Sequence, residues 1–149
     1  MLQIDCIVTG EVATSVSLDP AEVMRFAEVV LRENGVVSCS LNIVFVDDDT
    51  MTDLNSRYKG RDGTTDVLTF MLSERDDETR DGEIYISPRR VREQSGDYIV
   101  SAEDEMVRVL THGLLHFAGH IHDTESQMQA MEALTARFMK EYDHTTGEH

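Results

Sequence analysis

Apolar residues recur along this chain with two periods, close to two in some stretches and close to 3.6 in others, and the switches between them lay out its elements. Leu2 to Val8 alternates weakly and reads as a strand. Asp19-Pro20 then opens a helix, with Asp19 as N-cap and Pro20 at the first helical position. Val23, Phe26, Ala27, Val30 and Leu31 form its apolar stripe, and Asn34-Gly35 stops it. Ser40 to Val46 is a second strand, mostly buried, with Leu41, Ile43 and Phe45 on one face and Asn42, Val44 and Val46 on the other. A short helix follows, carrying Met51, Leu54 and Tyr58 toward the core and ending near Gly60. Its opening Asp47-Asp48-Asp49 lacks the glycine and distal glutamate of a calcium loop and fits an acidic helix start.

Arg61 to Thr64 is loop, and Val67 to Met71 is a third strand. A charged connection from Ser73 to Asp81 leads to a fourth strand, Gly82 to Ile86, stopped by Pro88. Arg89 onward is helical up to a break at Gly96. Ser101 with Asp104 is a capping-box-like start for the next helix, whose apolar face is Met106, Val109, Leu110, Leu114 and Phe117. The last helix runs from Thr124 to Tyr142 on a stripe of Met128, Met131, Leu134 and Phe138, the methionines serving as core filler. Strands and helices are mixed, which predicts an α+β fold: one small mixed β-sheet packed by helices. Residues 1–149 form a single domain, with a polar, frayed tail from Asp143 to His149.

Composition narrows this picture without redrawing it. A chain of 149 residues can bury a core unaided. No apolar run reaches the length of a membrane span, and no basic region followed by an apolar block stands at the N-terminus, so a cytoplasmic location is expected. Cys6 and Cys39 are far apart and form no C-x-x-C pair, which reads as two buried free thiols. The net charge of −16 argues against broad electrostatic binding of nucleic acid but leaves room for a small basic patch. Arg57, Lys59 and Arg61 cluster locally, as do Arg89, Arg90 and Arg92, although either group would serve equally as a solvated face.

The chemistry concentrates in His112-Gly113-Leu114-Leu115-His116-Phe117-Ala118-Gly119-His120-Ile121-His122. Histidines four residues apart on a helix lie about 40° apart around its axis and leave the same face. Such a pair alone is common decoration. Here Gly119 can take a positive φ, end the helix and return His122 toward the first two. Three imidazoles around one point are the donor set of a catalytic zinc with an open fourth position. His120, between the ligands, reads as a turn residue, a support for a ligand, or a substrate contact. His144 and His149 in the tail are poor ligand candidates. The spacing equals that of the metzincin proteases, but Gly113 stands where their glutamate, the general base, would be.

Read with two other segments, this stretch resembles the YbeY family of endoribonucleases, also called ribosomal RNA maturation factors. The family hallmark H-G-x-L-H-x-x-G-Y-D-H is met by His112, Gly113, Leu115, His116, Gly119 and His122. Leu54-Asn55, Tyr58, Asp62 and Thr65-Asp66-Val67-Leu68-Thr69-Phe70 are similar to L-N-x-x-Y-R-x-K-D-x-P-T-D-V-L-S-F. Gly82-Glu83-Ile84-Tyr85-Ile86-Ser87-Pro88 is similar to G-D-I-x-I-x-P, with Glu93-Gln94 following. The resemblance covers residues 40 to 135. The chain departs from it at His120-Ile121 in place of Tyr-Asp, Lys59 in place of arginine, Thr64 in place of proline, and Glu83 in place of aspartate.

The resemblance implies a metal-dependent endoribonuclease specific for single-stranded RNA, acting in ribosomal RNA processing at the 3′ end of small-subunit 16S rRNA and in ribosome quality control. It implies Zn2+, one per chain, or another divalent transition metal, on His112, His116 and His122. The ion would lower the pKa of bound water toward neutrality and polarise a phosphoryl oxygen. Lys59, Arg57 or Arg61 would neutralise charge on the phosphorane-like transition state. With no glutamate in the protease position, the proton acceptor is His120, Asp123 or the hydroxide itself; Asp123 would alternatively cap the last helix. Partners would be single-stranded RNA and the small ribosomal subunit or its proteins, with no membrane and no DNA. Two alternatives stand beside this: a ribosome assembly factor with a structural zinc, and a zinc protease-like hydrolase, against which Gly113 counts.

Overall fold

The computed structural model describes residues 1–10, 12, 18–59, 65–73, 78–98 and 101–146. The elements run β1 (Leu2–Val8), α1 (Pro20–Glu33), β2 (Cys39–Phe45), α2 (Asp48–Lys59), β3 (Val67–Met71), β4 (Arg80–Ile86), α3 (Pro88–Tyr98), α4 (Ala102–Phe117) and α5 (Glu125–Thr146). The four strands form one sheet in the order β1-β2-β4-β3. β1 and β4 each pair parallel to β2, while β3 runs antiparallel to β4 and forms an edge. This is the mixed α+β architecture expected from the sequence.

Strand alternation divides the sheet into two faces. Leu41, Ile43, Phe45, Ile84 and Ile86 join the larger core with α1, α4 and α5. Val44, Val46, Leu68 and Met51 make the smaller core, packed by Leu54, Phe70 and Tyr85 beneath α2. Helix α2 therefore covers the face opposite to α4. The edge-on contact of Phe26 with Tyr142, ring centroids 5.0 Å apart, ties α1 to α5. Among the described residues no helix is long and apolar enough to cross a membrane.

The helix starts follow their caps. Asp19 accepts from the Ala21 amide at 3.0 Å, with Pro20 next. Asp47 accepts from the Thr50 amide at 2.7 Å, so the acidic run does begin a helix. Ser101 accepts from the Asp104 amide at 3.0 Å. At α5 the cap is Thr124 and not Asp123: the Thr124 hydroxyl accepts from the Gln127 amide, and the Gln127 side chain accepts from the amides of Thr124 and Asp123.

Several boundaries and faces differ from expectation. β4 begins at Arg80, two residues before Gly82, because Arg80 and Asp81 continue the ladder opposite Cys39 and Ser40. α3 passes through Gly96 to Tyr98; a helical glycine costs about 1 kcal/mol, less than is gained by packing around Val91 and Ser95. Tyr58 is 63% exposed and reaches only the edge of Phe70, and Met128 is 48% exposed on the first turns of α5. α5 buries Met131, Thr135, Phe138 and Tyr142, and its backbone stays helical to Thr146, past the expected start of the tail at Asp143. Cys39 is buried, but Cys6 on the edge strand β1 is only half-buried; both thiols are free. The helix end at Gly60, the loop 61–64 and His149 lie outside the described residues.

Helix α4 is central, and Gly113 sets how closely it sits. A Cβ there would come within 3.0 Å of Ile84 Cγ2 and 3.4 Å of Val67 Cγ2, so the missing side chain lets the helix lie against β3 and β4. We expect Gly113→Glu to lose about 1–3 kcal/mol of stability through overpacking, read from the urea midpoint. An unchanged midpoint would show that this contact does not seat the helix.

Below Gly113 on the same helix, buried Glu105 accepts from Arg108 Nε at 2.8 Å and Nη2 at 2.6 Å, and from Gln94 Nε2 at 2.5 Å. Burial pushes its carboxyl up, but the hydrogen bonds from Arg108 and Gln94 and the Arg108 charge outweigh this and hold it below the ordinary value of 4.5. A depressed folded pKa gives stability that is complete above the unfolded value and is lost as pH falls toward the folded one. Glu105→Gln should therefore cost about 1.5–3 kcal/mol at pH 7 and progressively less below about pH 4.5, where the carboxyl of the unfolded chain takes up its proton before the folded one does. Parallel urea midpoints for the two proteins across that range would contradict it.

Candidate metal centre

The last turns of α4 carry His112 and His116, their ring centroids 5.5 Å apart. The helix then ends in a Schellman turn: Gly119 donates to the His116 carbonyl and His120 to the Leu115 carbonyl, both at 3.0 Å. Gly119 takes φ +108°, a left-handed conformation that strains any L side chain. The reversal brings the His122 ring to 4.7 Å from His116 and 5.7 Å from His112. Ligand atoms of the three histidines lie within 4.8 Å of one another, close enough for the three to share one ion.

Electrostatics favours the neutral form that metal binding needs. Burial lowers the pKa of His112 below 6.5, the charges of Arg108 and His122 lower it further, and Asp66 and Glu132 oppose them only in part. A neutral ring keeps a lone pair for an ion. The donor set, three imidazoles with no cysteine or carboxylate among them, could hold a divalent transition metal and leave a position open. The three rings line a cavity of about 360 Å³ together with Val67, Leu68, Thr69 and Gly113.

The other expected site residues are placed differently. His120 Nε2 lies 2.8 Å from Oδ1 of Asn34, the C-cap of α1, whose own amide side chain donates to the Val30 carbonyl at 2.7 Å. The imidazole is thus a pin between the ends of two helices. Asp123 is exposed in the turn after His122, before the Thr124 cap. Arg57 pairs with Asp53 at 3.1 Å on the outer surface of α2, and Lys59 is the last residue of that helix; Arg61 lies outside the described residues. Arg89 and Arg90 pair with Asp48 and Glu93, as a solvated face would.

Four residues at the site had no role assigned from the sequence. Arg108 stands one helical turn before His112, and Glu105 fixes it from inside the fold. Gln94 joins this pair to Asp66, donating to Asp66 Oδ2 at 3.1 Å. Arg80 donates from Nη1 to the Phe117 carbonyl at 3.2 Å, at the end of α4. The spacing of Glu105, Arg108 and His112 at i, i+3 and i+7 was the available signal for Arg108; Arg80 offered none.

Comparison with known proteins agrees with this geometry. The model of the family described as Endoribonuclease YbeY matches residues 11–143. A Thermotoga maritima protein named Endoribonuclease YbeY is 38% identical over 103 residues, covering 69% of this chain and 65% of its own. One from Flavobacterium psychrophilum, with the same name, is 39% identical over 94 residues, 63% of this chain and 65% of the relative. The match thus spans about 65% of the length of these relatives. The solution structure of TM1509 from Thermotoga maritima superposes with a TM-score of 0.64 at 25% identity, covering 100% of this chain and 96% of that one. A family match running from before α1 into α5, with the fold shared over the whole chain, makes this protein a member of the endoribonuclease YbeY family.

Proposed function

We propose that this protein is a metal-dependent endoribonuclease that hydrolyses single-stranded RNA in the cytoplasm, acting in ribosomal RNA processing at the 3′ end of 16S rRNA and in ribosome quality control. The observation that carries the reading is the convergence of His112, His116 and His122 on one open cavity, in a chain of this family. The names of its relatives support RNA as the substrate.

The residues His112, His116 and His122 would hold the ion, with zinc the favoured metal on their donor type. Bound there, it supplies Lewis-acid polarisation of a phosphoryl oxygen and a source of hydroxide at neutral pH. Gly119 fixes the turn that sets the third ligand, and Arg108 helps keep His112 neutral. Lys59 at the end of α2, or Arg61 after it in the sequence, would neutralise charge on the transition state, whereas Arg57 is engaged by Asp53 on the outer surface of that helix. Of the proton acceptors considered, Asp123 is the better supported: His120 Nε2 is engaged by Asn34, whereas the Asp123 carboxylate is not needed as a helix cap. A peptidase reading is disfavoured at Gly113, since a side chain there would be aimed at Ile84 and Val67. Docking on the small ribosomal subunit or one of its proteins would reconcile an RNA substrate with a net charge of −16.

Purified protein should contain about one equivalent of zinc, and cleave a single-stranded RNA until a chelator is added. His116→Ala should keep its fold by circular dichroism, lose the metal, and drop at least 100-fold in cleavage rate. Full cleavage by that variant would sink the catalytic-metal reading, and an unfolded variant would favour a structural ion instead. Affinity for bare RNA equal to affinity for small subunits would remove the docking role.

A further inference from the structure

The histidine cavity is the middle of a longer furrow. On one side it shares Val67 and His112 with a cavity of about 210 Å³ that also takes in Asp66, Arg108 and Val109. On the other it shares His116 with one of about 240 Å³ lined by Met71, Ser73, Arg80, Gly119, His120 and Ile121. The three follow edge strand β3 from Asp66 to Ser73 along one wall, and α4 and its terminal turn along the other. Among the described residues the furrow is therefore open along a sheet edge, as an extended polymer requires.

Its charge is unlike that of the rest of the molecule. The whole chain carries 29 acidic against 13 basic residues, yet among the described residues the furrow is lined by two arginines and one carboxylate, Asp66, with Glu105 buried behind Arg108. Elsewhere Arg32, Arg57, Arg89, Arg90 and Arg137 sit in exposed ion pairs with neighbouring acids on helix surfaces. Arg108 is ion-paired too, but with a buried acid, Glu105, and Arg80 is held by a backbone carbonyl. The fork from Arg108 to buried Glu105 fixes a guanidinium that is still 39% exposed. Arg80 is anchored to the last carbonyl of α4, and its Nη2 lies 3.3 Å from where a Cβ on Gly119 would stand, so the glycine makes room for the guanidinium. At ~1.5 Å per residue, Arg108 and Phe117 are roughly 13 Å apart along α4, with His112 and His116 between them.

We infer that Arg108 and Arg80 are phosphate subsites on either side of the scissile linkage, and that the RNA strand lies along the β3 edge between them. The inference rests on the endoribonuclease reading and assigns its substrate contacts. Planar guanidinium forks suit phosphate oxygens, and their fixed orientation lowers the ordering cost of binding.

The test compares holoprotein, Arg108→Gln and Arg80→Gln on a single-stranded oligoribonucleotide and on a dinucleoside monophosphate, which carries only the scissile phosphate. Each variant should raise KM for the long substrate roughly tenfold, so that the long-to-short ratio of kcat/KM falls by the same factor. Anisotropy of a labelled single-stranded RNA on chelator-treated protein should give a salt slope smaller by about 0.7 for each arginine lost. Arg108→Lys and Arg80→Lys should restore most of that slope, which a purely structural role would not predict. Equal losses on the two substrates, or an unchanged salt slope, would overturn the inference while leaving the endoribonuclease reading intact. Wild-type protein inactive on both RNAs would instead refute that reading and this one with it.

Discussion

The close seating of α4 on β3 and β4 is the constraint on which the site depends. Gly113 presents no side chain to Ile84 and Val67, so the helix lies flat on the sheet with its histidine-bearing face over the edge strand. A bulkier residue would lift the helix, and the cavity between His112, His116 and β3 would change shape with it. The residue that marks the departure from the protease pattern is thus also a packing element. Its two meanings, no general base and no gap, come from the same absent side chain.

Much of the fold was legible because local rules and tertiary demands agree. The caps at Asp19 and Ser101, the acidic start at Asp47 and the stripe of α1 lie where the sequence put them, since the first three satisfy local amides and the stripe is buried. Disagreement appears where a third partner decides. β4 is lengthened by its ladder with β2, and α3 runs through Gly96 because it packs on α4. Tyr58 and Met128 have the right spacing but lie where the sheet and the neighbouring helices do not cover them. Periodicity identifies a face and cannot say how far the opposing surface extends.

The site divides in the same way. His112, His116, Gly119 and His122 form a local motif, so its geometry follows from helix pitch and one left-handed residue. Arg80 and Gln94 come from other elements and meet the motif only when the sheet is assembled. His120 was ambiguous in the sequence because its partner, Asn34, is distant in the chain. The acidic composition obscured the furrow for a related reason: a net charge averages over a surface, while a substrate experiences the potential along one groove.

The tie between His120 and Asn34 has a consequence for stability. The third ligand lies beyond the end of α4, in a turn also fastened to the C-cap of α1. An ion bound by both the helix and the turn closes a small ring of chain, and one side of that ring is braced by a second helix. Binding to the native state alone raises stability by RT ln(1 + [L]/Kd), so the ion would act as a staple for the ends of both helices. Metal supply would then govern how often this corner of the fold opens, and with it the lifetime of the protein against proteolysis.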